Sequence, residues 1–424
     1  MIDIKLLREN PDGVKKNAAR RGKQQYVQLV EELYHTDKKW RDVKQEVDDL
    51  RHQRNFLSQE INKAKKERKN VDALLQQVKD IPVHLAEREE RLALLEKQAH
   101  ELLSAVPNLL HSSVPLGKDA ADNKILRSWG RPKSFSYALQ NHAELGEALG
   151  VADFDAGRVV AGQGFNYLLG KLAVLDLALQ RYGIDFLKEE GFVPVIPPIL
   201  LNRETLAGAV DLSAFEQVIY KVDQEDLYLI GTAEHALVSM LKGKILQKLP
   251  LKVCAVTPCF RKEIGGHGVD TKGLFRMHQF NKVEQVIFAK PEESFKLLEY
   301  MQKLTEKFFK SLKIPFRVIE ICSGDLGAKF AKQYDIEAWF PRQGEYREVT
   351  SAGSCTDYQA RRLNIRYEEN SERKYVHILN NTMIATSRAM VAILENYQQK
   401  DGSVLIPDVL QKYTRFKKIE KVKE

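Results

Sequence analysis

Phe260-Arg261-Lys262-Glu263 leads through a polar loop bearing Gly265, Gly266 and Gly268 into Asp270-Thr271-Lys272-Gly273-Leu274-Phe275-Arg276-Met277-His278-Gln279-Phe280-Asn281-Lys282-Val283-Glu284. Apolar alternation in Val253-Cys254-Ala255-Val256, and again from Met277 to Val283, predicts two strands on either side of that loop. The first ends in Arg-x-Glu and the second in a carboxylate. Such a pair suits an anionic, nitrogen-rich ligand: the planar fork of Arg261 matches phosphate or carboxylate oxygens, while Glu263 and Glu284 accept from amino groups. A surface hairpin with scattered charge is the plainer alternative.

The rest of the 424-residue chain bounds what such a ligand site can belong to. With 43% hydrophobic residues, the length predicts a large core and two or three domains. A net charge of +8 and a pI near 9.0 are compatible with a polyanionic partner without requiring one. Met1-Ile2-Asp3-Ile4-Lys5 has no apolar signal core, and no run of about eighteen apolar residues occurs, so a soluble, cytoplasmic protein with no membrane partner is expected. Cys254, Cys259, Cys322 and Cys355 are scattered without Cys-x-x-Cys or His spacing, which predicts reduced thiols and no zinc. There is no G-x-x-x-x-G-K-[ST] loop, and Gly162-Gln163-Gly164 lacks the third glycine of a dinucleotide fingerprint.

The first hundred residues have their own period. Leu29, Leu33, Trp40, Val43, Val47, Leu50, Leu57, Ile61 and Ala64 recur in steps of three and four, as do Val71, Leu74, Val78, Ile81, Leu85, Leu92, Leu95, Ala99, Leu102 and Val106. The polar run Lys65-Lys66-Glu67-Arg68-Lys69-Asn70 between them predicts an antiparallel helical coiled-coil hairpin from about 27 to 106, inside an arm of residues 1–110. Each helix would be roughly 50 to 60 Å long. Pro82 within the second seam predicts a kink or a break. The hairpin suits dimerisation or spacing; its basic residues Arg51, Arg54, Lys63, Lys65, Lys66, Arg68 and Lys69 suit a solvated face equally with RNA, which is read by shape and backbone charge. Residues 111–135 read as a linker, and residues 136–424 as the globular body.

Three further clusters carry polar chemistry. Tyr228-Leu229-Ile230-Gly231-Thr232-Ala233-Glu234 is a strand running into a polar corner, either a helix cap or a ligand contact. Tyr346-Arg347-Glu348-Val349-Thr350-Ser351 puts Glu348 and Ser351 at the end of a strand, where they suit Mg²⁺ shared with phosphate, or simply an exposed edge. Leu379-Asn380-Asn381-Thr382 leads by a turn into a helix carrying Arg388 in its first turns. A cation there opposes the helix dipole, so an adjacent phosphate explains it better than stability does.

Taken in order, these stretches resemble the class II aminoacyl-tRNA synthetases, and the string around His278-Gln279-Phe280 is most similar to the seryl-tRNA synthetases of the common, non-zinc type. Phe165 to Glu190 followed by Gly191-Phe192-Val193-Pro194-Val195-Ile196-Pro197-Pro198 resembles motif 1, the opening quoted stretch motif 2, and Leu379 to Asn396 motif 3. The resemblance implies an α+β chain: the helical arm, then a catalytic domain with an antiparallel β-sheet flanked by helices. It implies a serine–tRNA ligase that uses ATP and Mg²⁺ to form seryl-adenylate, then loads tRNA(Ser), and tRNA(Sec) where that tRNA exists. It implies a homodimer whose arm reaches tRNA bound across the dimer. By the same resemblance, Thr232, Ala233, Glu234, Arg261, Glu284 and Thr382 contact serine. Arg261, Lys262, Glu263, Met277, Glu348, Val349, Thr350, Ser351 and Arg388 contact ATP, and Glu348 and Ser351 hold the metal. Arg261 and Arg388 are the catalytic pair, and Ile264 to Lys272 orders over the substrates. Asn381-Thr382-Met383 departs from the Gly-rich bacterial string, so the serine-hydroxyl contact falls on Thr382. A paralogue that loads a protein carrier, or an RNA-binding scaffold without activity, are the alternatives.

Overall fold

In the computed structural model, residues 1–210, 217–263 and 272–421 are described, and they divide into two units, Met1–Pro107 and Asn108–Glu424. The first unit is helical. Short helices α1 (Ile4–Glu9) and α2 (Pro11–Ala19) precede α3 (Gln24–Lys66), whose 43 residues span roughly 65 Å. After the polar break come α4 (Asp72–Lys79) and α5 (Ile81–Ala105). The predicted seam is where burial is found: Leu33, Val47, Leu57 and Ile61 on α3 are buried, as are Ile81, Leu85 and Leu95 on α5. Arg51 to Glu89 (2.7 Å) and Arg88 to Glu46 (3.0 Å) cross between the two helices at the surface.

Asp37 was not in the predicted seam, yet it is buried and accepts from Arg8 of α1 at 2.7–3.2 Å, which ties the short leading helices to α3. Pro82 does not kink a continuous helix. The helix is interrupted at Asp80, and Pro82 falls in the first turn of α5, where its missing N–H has no intrahelical partner to lose.

The second unit is built on one eight-stranded sheet. Its strands are β1 (Lys124–Trp129), β2 (Val193–Pro194), β3 (Leu251–Phe260), β4 (Gln279–Ala289), β5 (Phe316–Glu320), β6 (Lys332–Phe340), β7 (Glu345–Ser354) and β8 (His377–Ala385). They lie in the order β1-β5-β6-β7-β8-β4-β3-β2, antiparallel throughout except for the parallel β2–β3 pair. One face carries α6 (Gly170–Glu189), α8 (Pro291–Ser311) and α10 (Thr386–Asn396), with Leu175, Leu298, Phe308 and Ile393 in the larger core cluster. The other carries α7 (Ala233–Ser239) and α9 (Tyr358–Leu363), with Leu237 and Leu363 packed against Val253, Val286 and Phe288.

Residues 111–135 are not simply a linker. They contain β1, which pairs along its length with β5 and closes one edge of the sheet, and Arg127 on it is ion-paired with the buried Glu306. The helix predicted from Phe165 begins only at Gly170, and β8 runs directly into α10 without a turn. Among the described residues no helix is long and apolar enough to cross a membrane.

Candidate active site

Period-two alternation on β4 places Lys282 and Glu284 on the same face as Val286 and Phe288, toward α7. In register, Glu284 sits between Ala255 of β3 and Thr382 of β8. The chain entering α7 brings Thr232 to this carboxylate. Thr232 caps α7 by accepting from the Glu234 amide (3.2 Å) and donates its hydroxyl to Glu284 Oε2 at 3.3 Å. The cap and the site contact are therefore the same residue. Thr382 donates to the same oxygen at 3.5 Å, and Lys282 Nζ lies 2.5 Å from it and 3.2 Å from Thr382 Oγ1. Two segments far apart in sequence, with a neighbour on its own strand, thus converge on one buried carboxylate.

Arg261 borders this nest. Its Nε donates to the Gly231 carbonyl (3.0 Å), its backbone N–H to the His278 carbonyl (2.9 Å), and its guanidinium lies 5.6 Å from the Phe280 ring centroid. Close packing holds His278, just before β4, in place. Gly164 (φ +85°) accepts from the His278 amide, and a Cβ at Gly164 would stand 2.5 Å from the His278 ring. Behind Phe280 and Met277 lies a cavity of about 160 Å³ that also touches Phe165, Asn166, Ser387 and Met390.

Glu234 is buried and held by two donors: Lys329 Nζ at 2.5 and 2.7 Å, and Gln359 Nε2 at 2.7 Å. Burial opposes charge on Glu234 and on Lys329 alike. Their mutual attraction wins, so the carboxyl is held below its ordinary range and the ammonium above. Ala233 is fully buried in α7.

The predicted nucleotide residues fall in two groups, and Glu348 and Ser351 lie within β7 rather than at its end, because the strand runs on to Ser354. Arg388, third in α10, donates to the Glu348 carbonyl (3.1 Å), pairs with its carboxylate (3.2 Å) and lies 5.1 Å from the Phe275 ring centroid. Ser351 accepts from Gln333 Nε2 at 3.0 Å and stands in register with Asp335 of β6. Val349 and Thr350 are buried between them. Burial and the Glu348 charge push the Asp335 carboxyl well above its usual range. Hard oxygen donors whose negative charges oppose each other fit a divalent cation such as Mg²⁺, which accepts carboxylate and hydroxyl oxygen and completes its shell with phosphate and water. Among the described residues no cluster of three or more His, Cys, Asp or Glu is placed to hold a metal unaided.

Just past the end of β3, Lys262 donates its amide to the Val218 carbonyl and lies 5.7 Å from the Tyr220 ring centroid. Glu263, at φ +40°, faces Arg276 at 3.7 Å. Met277 is buried, its sulfur 2.7 Å from Asn166 Nδ2. Most of the predicted closing loop, residues 264–271, lies outside the described residues. The four cysteines are buried and unbridged, and burial pushes the Cys254 and Cys355 thiols up to about 12. On the arm, Arg51, Arg54, Lys63, Lys65 and Lys66 are exposed, with Arg51 paired to Glu89.

Lys282, Lys329, Gln359 and Asp335 were not assigned from sequence. Lys282 carried a signal, two residues from Glu284 on one strand face. Lys329 carried none: its partner Glu234 lies 95 residues away, and Gln359 meets the same carboxylate from 125 residues away.

Comparison with known proteins agrees with this layout. The description "Seryl-tRNA synthetase N-terminal domain" matches residues 1–110, and "tRNA synthetase class II core domain (G, H, P, S and T)" matches residues 219–397. A serine–tRNA ligase of Methanocella arvoryzae is 46% identical over 418 residues, covering 97% of this chain and 98% of its own. A crystal structure of seryl-tRNA synthetase from Pyrococcus horikoshii complexed with ATP is 47% identical, with a TM-score of 0.96 over the whole of both chains. A cytoplasmic serine–tRNA ligase from Naegleria fowleri, in complex with AMP, is 35% identical with a TM-score of 0.90, over 100% of this chain and 99% of its own. With both domains matched in order and identity sustained along the whole length, the chain belongs to the seryl-tRNA synthetase family.

Proposed function

We propose that the chain activates L-serine with ATP and transfers the seryl group to the 3′ end of tRNA(Ser). The observation that carries this reading is the convergence of Thr232, Thr382 and Lys282 on the buried Glu284, beside Arg261. In the first step the serine carboxylate attacks the α-phosphorus of ATP, and the bond to the β-phosphate bridging oxygen breaks to release pyrophosphate. In the second, a terminal ribose hydroxyl of the tRNA attacks the activated carbonyl, and AMP leaves. Neither step needs a side-chain nucleophile, so rate comes from positioning and charge neutralisation.

Arg261 spans the α-phosphate and the serine carboxylate. Its Nε is anchored on Gly231 and its guanidinium lies by the Phe280 ring, while its terminal nitrogens have no hydrogen-bond partner among the described residues. Glu284, Glu234, Thr232 and Thr382 receive the amino group and hydroxyl of serine. Buried groups that need a hydroxyl partner reject alanine strongly. Glu263 meets the adenine amino group and Arg388 the γ-phosphate, each exchanging its present partner for substrate. Glu348 and Ser351, with Asp335 behind them, would hold Mg²⁺, which neutralises phosphate charge when bound. On the arm, Arg51, Arg54, Lys63, Lys65 and Lys66 meet the tRNA backbone. A cytoplasmic homodimer joined through motif 1 completes the reading, supported by the exposed apolar side chains Val174, Leu177, Val193 and Ile196.

The test is ATP–pyrophosphate exchange with purified protein and Mg²⁺, offering serine, threonine, cysteine, alanine and glycine separately. Exchange with serine far ahead of the others is expected. Exchange led by another amino acid refutes the substrate, and exchange with none refutes the activity.

A further inference from the structure

We propose that Lys329 is a positioning residue for serine activation: its ammonium, held on both oxygens of Glu234, sets the direction in which that carboxylate receives the amino acid. The inference rests on the assignment of Glu234 to the serine pocket made above.

An ionised carboxylate offers about four acceptor sites. On Glu234, Lys329 fills one on each oxygen, and Gln359 fills another on Oε1. Gln359 cannot swing away freely, because its amide also donates to the Ala209 carbonyl at 2.8 Å. One acceptor direction, on Oε2, is left for a ligand. A carboxylate so occupied receives one donor along one line, which is what discrimination between similar small amino acids requires.

Lys329 is fixed as firmly as the group it fixes. Its side chain is one-fifth exposed, and its ammonium lies 4.7 Å from the Phe330 ring centroid. Phe330 is seated over Gly353 of β7, where a Cβ would stand 2.3 Å from the ring. The Lys329 backbone is pinned by Asn108, the first residue of the second unit. Asn108 Nδ2 donates to the carbonyls of Lys329 (2.9 Å) and Cys355 (2.8 Å), and its N–H donates to the Ala328 carbonyl (2.8 Å). A lysine that served only to neutralise charge at a surface would need none of this. Without it, Glu234 is a buried carboxylate short of a counter-charge, free to take a proton or to turn toward another cation.

The test is exchange kinetics on the full-length protein, varying serine and ATP separately, for wild type, Lys329→Met, Lys329→Gln and Lys329→Arg, with thermal midpoints alongside. Loss of a charged hydrogen bond to Glu234 should raise the serine KM of Lys329→Met by about ten- to a hundredfold. The ATP KM should stay within about twofold. Lys329→Gln should fall between, and Lys329→Arg should recover most of the loss. If Lys329→Met does not fold, Lys329→Gln carries the same comparison. An unchanged serine KM, a parallel rise in both KM values, or no recovery with arginine while only the thermal midpoint moves, overturns the proposal. Wild-type protein that exchanges with no amino acid overturns the pocket assignment itself, and this proposal with it. Wild-type exchange with unaltered variants overturns this proposal alone.

Discussion

Glu234 and His235 are neighbours on α7, both buried, and they respond to that burial differently. Glu234 keeps its charge because Lys329 supplies a counter-ion. His235 loses its proton. Burial drives the imidazole down to about 3, with Glu234 pulling the other way and Lys329, Arg261 and Lys282 pushing further down. An unfolded chain protonates this histidine below about pH 6.5, whereas the folded one stays neutral until about 3. Between those values the unfolded state binds more protons, so stability must fall as pH falls across that window. The Glu234 contribution has the same sign but is lost only below its ordinary value of 4.5. Stability of His235→Gln, measured by denaturant unfolding at a series of pH values, should therefore depend less steeply on pH between about 6.5 and 4.5 than that of wild type. Equal slopes would mean that His235 is not neutral in the folded protein.

The arm and the first sheet strand show how differently elements announce themselves. The α3 and α5 seams are local and periodic, so they could be read directly, and burial of Leu57 and Leu95 follows the period. Truncating Leu57 to alanine should cost the hairpin about 2–5 kcal/mol. Helical circular dichroism should then melt earlier and tRNA affinity should fall, while serine-dependent pyrophosphate exchange, which needs no tRNA, should be retained. Loss of exchange in that variant would show that the arm supports the first step as well. β1 gave no such warning. Lys124-Ile125-Leu126-Arg127-Ser128-Trp129 is short and mixed, and it becomes a strand because β5, nearly two hundred residues later, offers a free edge. Pairing over that separation leaves no local period to find.

At the scale of the molecule, Leu177 is 62% and Ile196 98% exposed, an unusual placement for residues flanking the sheet core. Leu177→Glu with Ile196→Glu should convert a dimer to a monomer in sedimentation equilibrium and abolish tRNA charging. A wild type that sediments as a monomer would refute the dimer outright. How much of this was legible in the chain follows the same division. The ordered motif strings singled out Arg261, Glu284, Thr232, Thr382 and Arg388 as candidates, because each lies in a contiguous stretch whose alternation and polarity are local properties. The strand faces, the helical arm and the order of the elements could be read for the same reason. Lys329 behind Glu234, the carboxyl of Asp335 opposite Ser351, and the edge strand from residue 124 could not. Each acquires its role from a partner brought close only by long-range pairing and burial, and burial decides whether an exposed charge becomes half of a fixed ion pair.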